Sequence, residues 1–359
     1  IITKEPFNAL LYRLTLDAAS IVSKKAATSS EEFNKHPVGA GPFKFVSWEM
    51  GGDVVLEANE DYYKGAPKIK KLIFRQIPEA LNRAIGLETA EIDLAYDLAI
   101  TDLDMLMENE MITVETVPST TVWYLGFNVQ KEPLDNVLVR QAVAYGLNTQ
   151  DVIDIVYNGV ASPAHNTMLP PRLFGYAPDT VEYPYSIEKA KEVLAEAGYP
   201  DGFATTLWCS DSQVMRDIAV VVQEQLRVIG ISAEIKTVEA GNYYAATGAG
   251  EQDLFILSKT SIDPDSMLRA MYHTEAFGLS GNRSFWATPE TDEKINQASI
   301  TLEPQKAQEL YREIQTIVAQ QLPLIPLMIE NLNAGMQSNV KGFELYPGKS
   351  HYIYGTWFE

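Results

Sequence analysis

The chain has 359 residues, of which 46% are hydrophobic and 21% charged, a composition typical of a globular protein. Its formal net charge of −20 argues against binding to nucleic acid and against a polybasic membrane anchor. The single cysteine, Cys209, excludes an internal disulfide framework, and four widely separated histidines argue against a zinc site. At about 150 residues per domain, the length predicts two domains.

The first residues, IITKEP, have neither an initiator Met nor the basic and apolar stretches of a signal peptide. This start predicts that the sequence begins inside a longer precursor. No apolar run reaches the roughly 18 residues of a membrane-spanning helix.

The first third of the chain predicts a helix followed by strands that alternate with a second helix. The first helix is expected over residues 8–23, ahead of the pair Lys24 and Lys25, which suits a helix C-terminus. The expected strands are 43–48, 54–58, 68–77 and 92–95, and the second helix is 79–89.

The rest of the chain predicts longer helices between short strands. The expected strands are 122–129, 203–208, 231–238, 253–258 and 324–329. The expected helices are 134–145, 149–157, 187–197, 215–229, 242–248, 267–272, 290–299 and 304–321. The Pro-rich stretch 163–184 is expected to be irregular. Helices between short strands favour an α/β protein whose parallel or mixed sheet is covered by helices.

Two motifs favour a structural interpretation over a chemical one. Ser186 and Lys189 fit a Ser-x-x-Lys pattern, but the Ser-Asp-Asn and Lys-Thr-Gly motifs that should accompany it are missing, and Ser186 suits a helix cap. Asp263-Pro264-Asp265 lacks the other ligands of a calcium loop, so Asp265 or Ser266 is expected to cap the helix 267–272. Because the sequence shows no nucleophile–base pair, the chain is not expected to be an enzyme, and no cofactor or metal is expected.

Several segments, in order along the chain, resemble one known family. They are PVGAGPFKF at 37–45, NEDYYKG at 59–65, EID at 91–93, LGFN at 125–128, VRQA at 139–142 and KAKEVLAEAGYPDGF at 189–203. Asp263-Pro264-Asp265 and LIPL at 324–327 occupy the expected later places. Together they resemble the oligopeptide-, dipeptide- and nickel-binding proteins of ABC importers, the extracellular solute-binding protein family 5.

The resemblance implies a periplasmic-binding-protein-like α/β fold (type II, cluster C). Such a fold has two lobes with mixed sheets covered by helices and a hinge of two crossover segments, expected near 124–128 and 327–331. Residues 1–123 and 331–359 would form lobe I, incomplete because its N-terminal part is missing, and 124–330 would form the distal lobe, lobe III.

The resemblance also implies a function. The chain would be the extracytoplasmic substrate-binding component of an ABC transporter, in the periplasm or at the cell surface, and a lipoprotein in its full-length form. It would bind a peptide or peptide-like small solute in an interlobe cleft and deliver it to the membrane permease, with no role for nucleic acid. The alternatives are a peptide-sensing receptor or chaperone-like protein of the same fold, and, further off, a hydrolase.

Two places in the chain are matched to the ligand contacts of the family. Arg216 stands where dipeptide-binding relatives carry an Arg for the ligand carboxylate, although it also suits an exposed first helical turn. Leu257 and Thr260 stand where peptide binders carry a Trp and an Asp that hold the ligand amine. With Lys259 between them, this departure argues against recognition of a free α-amine and favours an anionic ligand.

Aromatic residues, with 18 Tyr, 13 Phe and 5 Trp, are expected mostly in the core, with a minority at strand ends or loops facing a ligand. The full set of predicted ligand-binding residues is Arg216, Lys259, Thr260, Asp263, Tyr124, Phe127, Asn128 and Trp286. No histidine can be matched to the metal ligand of the nickel-binding relatives.

Overall fold

The computed structural model describes residues 1–28, 33–348 and 350–359 and divides the chain into two compact units. Unit 1 comprises Ile1–Tyr12 and Thr120–Glu330, and unit 2 comprises Arg13–Ser119 and Asn331–Glu359. The expected division gave residues 1–12 to the same domain as unit 2. The structure groups them with unit 1, where Asn8 donates from its backbone N–H to the Ser299 carbonyl (2.9 Å) and from its side chain to the Ala298 carbonyl (2.7 Å).

The strands are β1 Phe43–Trp48, β2 Val54–Ala58, β3 Lys71–Phe74, β4 Leu94–Tyr96, β5 Ile112–Phe127, β6 Ser162–Pro163, β7 Phe203–Ser210, β8 Ile231–Val238, β9 Leu254–Thr260, β10 Leu324–Gln337, β11 Val340–Lys341 and β12 Trp357–Phe358. The α-helices are α1 Leu10–Arg13, α2 Lys24–Ala27, α3 Ala80–Glu88, α4 Leu103–Met107, α5 Val137–Gly146, α6 Thr149–Tyr157, α7 Ile187–Glu196, α8 Gln213–Val228, α9 Ala240–Gly248, α10 Pro264–Tyr272, α11 Pro289–Ile300 and α12 Pro304–Gln321. Short 3-10 helices cover Asp17–Ala19, Ile100–Asp102, Thr274–Ala276 and Gly278–Ser280.

Unit 1 is built on a mixed sheet in the order β10, β5, β9, β7, β8, with β6 paired to β10. β5 runs antiparallel to β9, from the pair Thr121 and Thr260 to the pair Phe127 and Leu254. β7 runs parallel to β8 and to β9, and α8 connects β7 to β8. A parallel pair needs a crossover of this kind. The mixed α/β architecture expected from the sequence is confirmed.

Side-chain caps define where several helices of unit 1 begin. The Ser186 hydroxyl accepts a hydrogen bond from the Lys189 N–H (3.2 Å), so the predicted cap of α7 is confirmed. The predicted cap of α10 is wrong, because this helix begins at Pro264 and its cap is Asp263. The Asp263 carboxylate accepts from the Ser266 N–H (2.8 Å). Pro264 is tolerated in the first turn because a backbone N–H at that position would have no partner within the helix.

The Pro-rich stretch 163–184 has no helix and only the end of β6, as expected, and α12 organises it through a buried amide. The Gln315 Oε1 accepts from the Thr167 hydroxyl (2.6 Å) and the Ala177 N–H (3.3 Å). Its Nε2 donates to the carbonyls of Gly175 (2.7 Å) and Tyr311 (2.8 Å). One side chain therefore holds three points of an irregular segment.

Unit 2 contains a three-stranded antiparallel sheet, β1–β2–β3, and the antiparallel pair of β4 with the second half of β10. The single helix predicted over 8–23 is wrong, since within that range only α1 is α-helical. Leu11, Leu14 and Leu16 stay exposed there, so packing of these side chains does not stabilise a longer helix.

Candidate functional site

The C-terminal end of β9 presents two of the predicted ligand residues to solvent. Lys259 is half-buried and lies opposite Val122 of β5, and Thr260 is exposed. The Thr260 hydroxyl lies 2.8 Å from the hydroxyl of Thr121, its direct cross-strand neighbour. A cationic side chain and a hydroxyl therefore sit at one end of the sheet of unit 1.

Arg216 lies in the first turn of α8 and is partly exposed. Its guanidinium donates to the Asp211 carbonyl and to the Gln213 Oε1 (2.6 Å). No ion pair joins it to a carboxylate within the described ranges, so its charge is not neutralised by this part of the chain. A guanidinium held in place by neutral acceptors is suited to a carboxylate ligand.

Two polar residues predicted to bind ligand have a structural role instead. Asn128 is 1% exposed, and its amide donates to the carbonyls of Gly250 (2.9 Å) and Gln252 (3.1 Å). Asp263 is fully buried and caps α10. Polar residues at strand ends are common both in binding sites and in loop anchors, and burial identifies these two as anchors.

Three predicted aromatic residues are also buried in unit 1. Phe127 is fully buried, and Tyr124 lies edge-to-face with Phe255 at 6.0 Å between ring centroids. Burial raises the pKa of the Tyr124 hydroxyl well above its ordinary value. Trp286 packs edge-to-face against Tyr272 at 6.3 Å. In this structure the three rings are packed in the core, whereas the sequence predicted that they would contact ligand.

A cation–aromatic pair on the sheet was missed in the sequence. Lys236 of β8 lies directly opposite Trp208 of β7, and its Nζ is 3.7 Å from the centroid of the indole ring. Cross-strand register places Trp208, Phe255 and Lys259 on the same face of the sheet. The pairing of β7 with β8 brings Lys236 there, and no local motif could reveal it.

The structure offers no support for the hydrolase alternative. The Ser186 hydroxyl caps α7, and the Lys189 ammonium lies 2.9 Å from the Glu192 carboxylate rather than on the serine. Cys209 is buried, and burial raises the pKa of its thiol. In the part of the chain that the structure describes, no three His, Cys, Asp or Glu side chains group as a metal site. None of the helices in the described part of the chain is long and apolar enough to cross a membrane.

Comparison with known proteins places this fold in a class. The chain is similar to the structure of HbpA2 from Haemophilus parasuis, with 28% identity and a TM-score of 0.88, covering 99% of this chain and 72% of that one. It is also similar to the periplasmic binding protein DppA from Helicobacter pylori in complex with peptide STSA, with 30% identity and a TM-score of 0.82, covering 99% and 71%. The fold is thus that of the two-lobed periplasmic binding proteins, as predicted.

Sequence comparison gives the family. Residues 1–278 match the family model of bacterial extracellular solute-binding proteins, family 5. The glutathione-binding protein GsiB of Salmonella typhimurium is 30% identical over 355 residues, which cover 96% of this chain and 69% of that protein. The chain belongs to family 5 of the bacterial extracellular solute-binding proteins. It is an extracytoplasmic substrate-binding component of an ABC transporter, which confirms the predicted family and role.

Proposed function

We propose that this substrate-binding protein takes a peptide or peptide-like small solute and delivers it to a membrane permease. The support comes from relatives: the Helicobacter pylori structure holds a peptide, and the Salmonella protein is named for glutathione. In the full-length protein a lipid anchor would hold it at the membrane surface. The two units would correspond to lobe III (unit 1) and lobe I (unit 2) of the family.

The ligand contacts that we propose are Arg216, Lys259 and Thr260, with Lys236 added from the sheet register. The observation that carries this assignment is the Arg216 guanidinium, which is partly exposed and oriented by the Asp211 carbonyl and by Gln213. The chain has a net charge of −20, and three cationic side chains lie on β8, on β9 and on α8, the helix between β7 and β8. They favour a ligand with a carboxylate.

We further propose that the chain catalyses no reaction. Hydrolysis of a peptide needs a nucleophile within hydrogen-bond reach of a base. The Ser186 hydroxyl caps a helix, and the Cys209 thiol is buried. The protein would then bind and release its ligand without changing it chemically.

The test is native mass spectrometry of the protein purified from its own source, followed by denaturation and identification of the released molecule. A released peptide or a peptide-like acid is the expected result. A metal chelate or a solute without a carboxylate would contradict the proposed ligand class. Conversion of added peptides into products, measured in the same preparation, would contradict the absence of catalysis.

A further inference from the structure

The sheet of unit 1 ends in a strand with an open edge. In the described part of the chain, β8 is the outermost strand of this sheet and is hydrogen-bonded to β7 on its inner side. Its residues Glu234, Lys236 and Thr237 are exposed. An unpaired strand edge offers backbone donors and acceptors to another chain, so soluble proteins either protect such an edge or use it for recognition.

The backbone of β8 directs every second residue toward the open edge. The Val238 carbonyl accepts from the N–H of Asp211, the residue after β7 (3.0 Å), so Val238 faces β7. Successive residues of a strand direct their backbone groups to opposite edges. Ala233, Ile235 and Thr237 consequently direct theirs outward, away from β7.

A contact of α8 agrees with this direction. The Ala233 carbonyl accepts from the Nε2 of Gln223 (2.7 Å), which is a side chain of the helix and not a neighbouring strand. A carbonyl oxygen has two lone pairs and can accept a second hydrogen bond. The outer edge of β8 therefore offers the N–H and carbonyl groups of three residues to a further strand.

The order of charges along β8 makes this edge complementary to itself. Glu234 and Lys236 are two residues apart, so their side chains lie on the same face of the sheet. When two copies pair antiparallel with two-fold symmetry about Ile235, each Glu234 lies directly opposite Lys236 of the second copy. The Cα atoms of such a pair are about 4.5 Å apart, close enough for opposite charges to stabilise the contact.

The neighbouring registers lack this match. Symmetry about Glu234 would place two glutamates directly opposite each other, and symmetry about Lys236 would do the same with two lysines, which destabilises a strand pair. Symmetry about Ile235 also places Ala233 opposite Thr237, both with outward backbone groups, and keeps residues 232–238 paired. The charges therefore favour one register.

The helix beside the edge is placed to extend the contact. α8 packs on β7 and β8. Strands are about 4.8 Å apart, so two copies of α8 related by the two-fold axis would lie about 10 Å apart, a distance at which helices pack. Val220 lies one turn before Gln223 on the same side of α8 and is 56% exposed in the middle of the helix. The second copy would cover this apolar side chain.

We propose that the protein pairs with a second copy of itself through β8, in an antiparallel contact that is two-fold symmetric about Ile235 and joins two sheets into one. Two-fold dimers are the commonest protein oligomers, and their contacts are self-complementary in this sense. One pair of strands is smaller than a standard interface, so the dimer is weak and forms at about 100 µM or above.

The test is sedimentation of the full-length protein between about 10 and 500 µM. The parent protein is expected to dimerise over this range. Glu234→Lys places like charges opposite each other twice in the dimer and should raise its Kd by about fivefold or more, and Lys236→Glu should do the same. The two variants mixed in equal amounts should pair with each other, because each introduced charge then meets its opposite. Glu309→Lys is the control, since it makes the same change in net charge at an exposed position of α12.

Lys236 is also a proposed ligand contact, so the decisive variant combines Glu234→Lys with Lys236→Glu in one chain. It exchanges the two charges, keeps the net charge and should dimerise like the parent. Thr237→Pro lacks one outward N–H and should weaken the dimer. Urea midpoints show that each variant is folded.

Three results would overturn the proposal. The first is a parent protein that stays monomeric at about 500 µM. The second is a dimer that Glu234→Lys leaves unchanged, because the contact would then lie elsewhere on the surface. The third is a folded double variant that fails to dimerise, because the charge order would then not define the register.

Discussion

Gly126 of β5 and Phe255 of β9 lie directly opposite each other in the sheet of unit 1, and the phenyl ring covers the glycine. A Cβ at Gly126 would lie 2.1 Å from the Phe255 Cζ, far inside van der Waals contact. The ring is fully buried and packs against Tyr124. The glycine of the Leu-Gly-Phe-Asn segment therefore makes room for an aromatic side chain from the neighbouring strand.

Gly126→Ala is expected to lower the free energy of unfolding by about 1–3 kcal/mol, because the added methyl displaces a buried ring. Urea denaturation of the variant measures this loss. In a Phe255→Leu background the same substitution should cost less, since the ring is gone. Gly41→Ala is the control, because its Cβ would meet no atom within 4 Å. Equal losses in both backgrounds would show that Phe255 is not the cause.

Arg140 holds the C-terminal end of α12. The residue is 2% exposed. Its guanidinium donates to the carbonyls of Gln321 (2.7 and 3.0 Å), Leu322 (3.0 Å), Leu134 (2.8 Å) and Asp135 (3.0 Å). Burial lowers the pKa of Arg140 to about 10, so it is charged at neutral pH and suits the negative end of the helix dipole.

Arg140→Met should therefore destabilise the protein by about 3 kcal/mol or more, because several buried carbonyls lose their donors. Arg140→Lys should lose less, since an ammonium keeps three donors. Both are measured by thermal and urea unfolding. The comparison is Arg227→Met, at an exposed arginine paired with Glu224. A loss at Arg140 no larger than at Arg227 would contradict this role.

Arg216→Ala is expected to weaken a carboxylate-bearing peptide by about 1.5–3 kcal/mol, the range for charge-assisted hydrogen bonds. This corresponds to about 10-fold to 150-fold in Kd. Isothermal titration with the peptide identified by mass spectrometry gives the value. Arg227→Ala, in the last turn of the same helix, is the matched control and should leave Kd unchanged. An unaltered Kd for Arg216→Ala would remove this residue from the ligand contacts.

Asp253 predicts a pH dependence of stability. Burial raises its pKa, but the Lys131 ammonium (2.8 Å) and the Thr206 hydroxyl (2.6 Å) outweigh burial and hold the pKa below its usual value. The folded chain thus releases this proton more readily than the unfolded chain. The stabilisation is present above the ordinary Asp pKa of about 3.9 and is lost as the pH falls through the lower folded value.

Urea midpoints measured between neutral pH and about pH 3 test this linkage. Asp253→Asn should show a shallower loss toward acid than the parent chain. Glu196→Gln, at an exposed carboxylate of α7, should reproduce the parent slope. Parallel curves for the parent and Asp253→Asn would show that Asp253 makes no such contribution.

Local signals in the sequence predicted the helices of unit 1 well. α6 and α12 coincide with the expected 149–157 and 304–321, because each cap or first-turn proline lies next to the apolar face it begins. A glycine that follows α7 is just as strongly constrained by its surroundings. Gly202 has φ +76°, and a Cβ there would lie 1.8 Å from the Gly230 carbonyl oxygen, so only glycine fits.

Long-range pairing could not be predicted. The expected strand 122–129 covers only the second part of β5 and runs two residues past its end, and the expected 324–329 covers only the first part of β10. The remaining parts of both strands carry polar residues without clear alternation. Asn333 shows why: its side chain accepts from the Leu98 N–H (2.8 Å) and donates to the Leu98 carbonyl (3.1 Å), 235 residues away. A contact of that separation leaves no local pattern.

The ligand contacts that we propose differ from the predicted set of residues for a related reason. Arg216, Lys259 and Thr260 remain open to solvent to different degrees, whereas Asn128 and Asp263 are buried anchors. In sequence, a polar residue after a strand looks the same in either role. Lys236 was missed because its neighbour Trp208 is reached only across the β7–β8 pairing.

The amide of Gln315 has a consequence for the chemical ageing of the protein. Deamidation to a glutamate would replace the two N–H donors with an oxygen that faces the carbonyls of Gly175 and Tyr311, and would leave an anion 2% exposed. Burial shields this amide from the water that hydrolyses it. A molecule that is deamidated while transiently unfolded would refold without the hydrogen bonds that hold the 163–184 stretch. That stretch would then be more accessible to proteases.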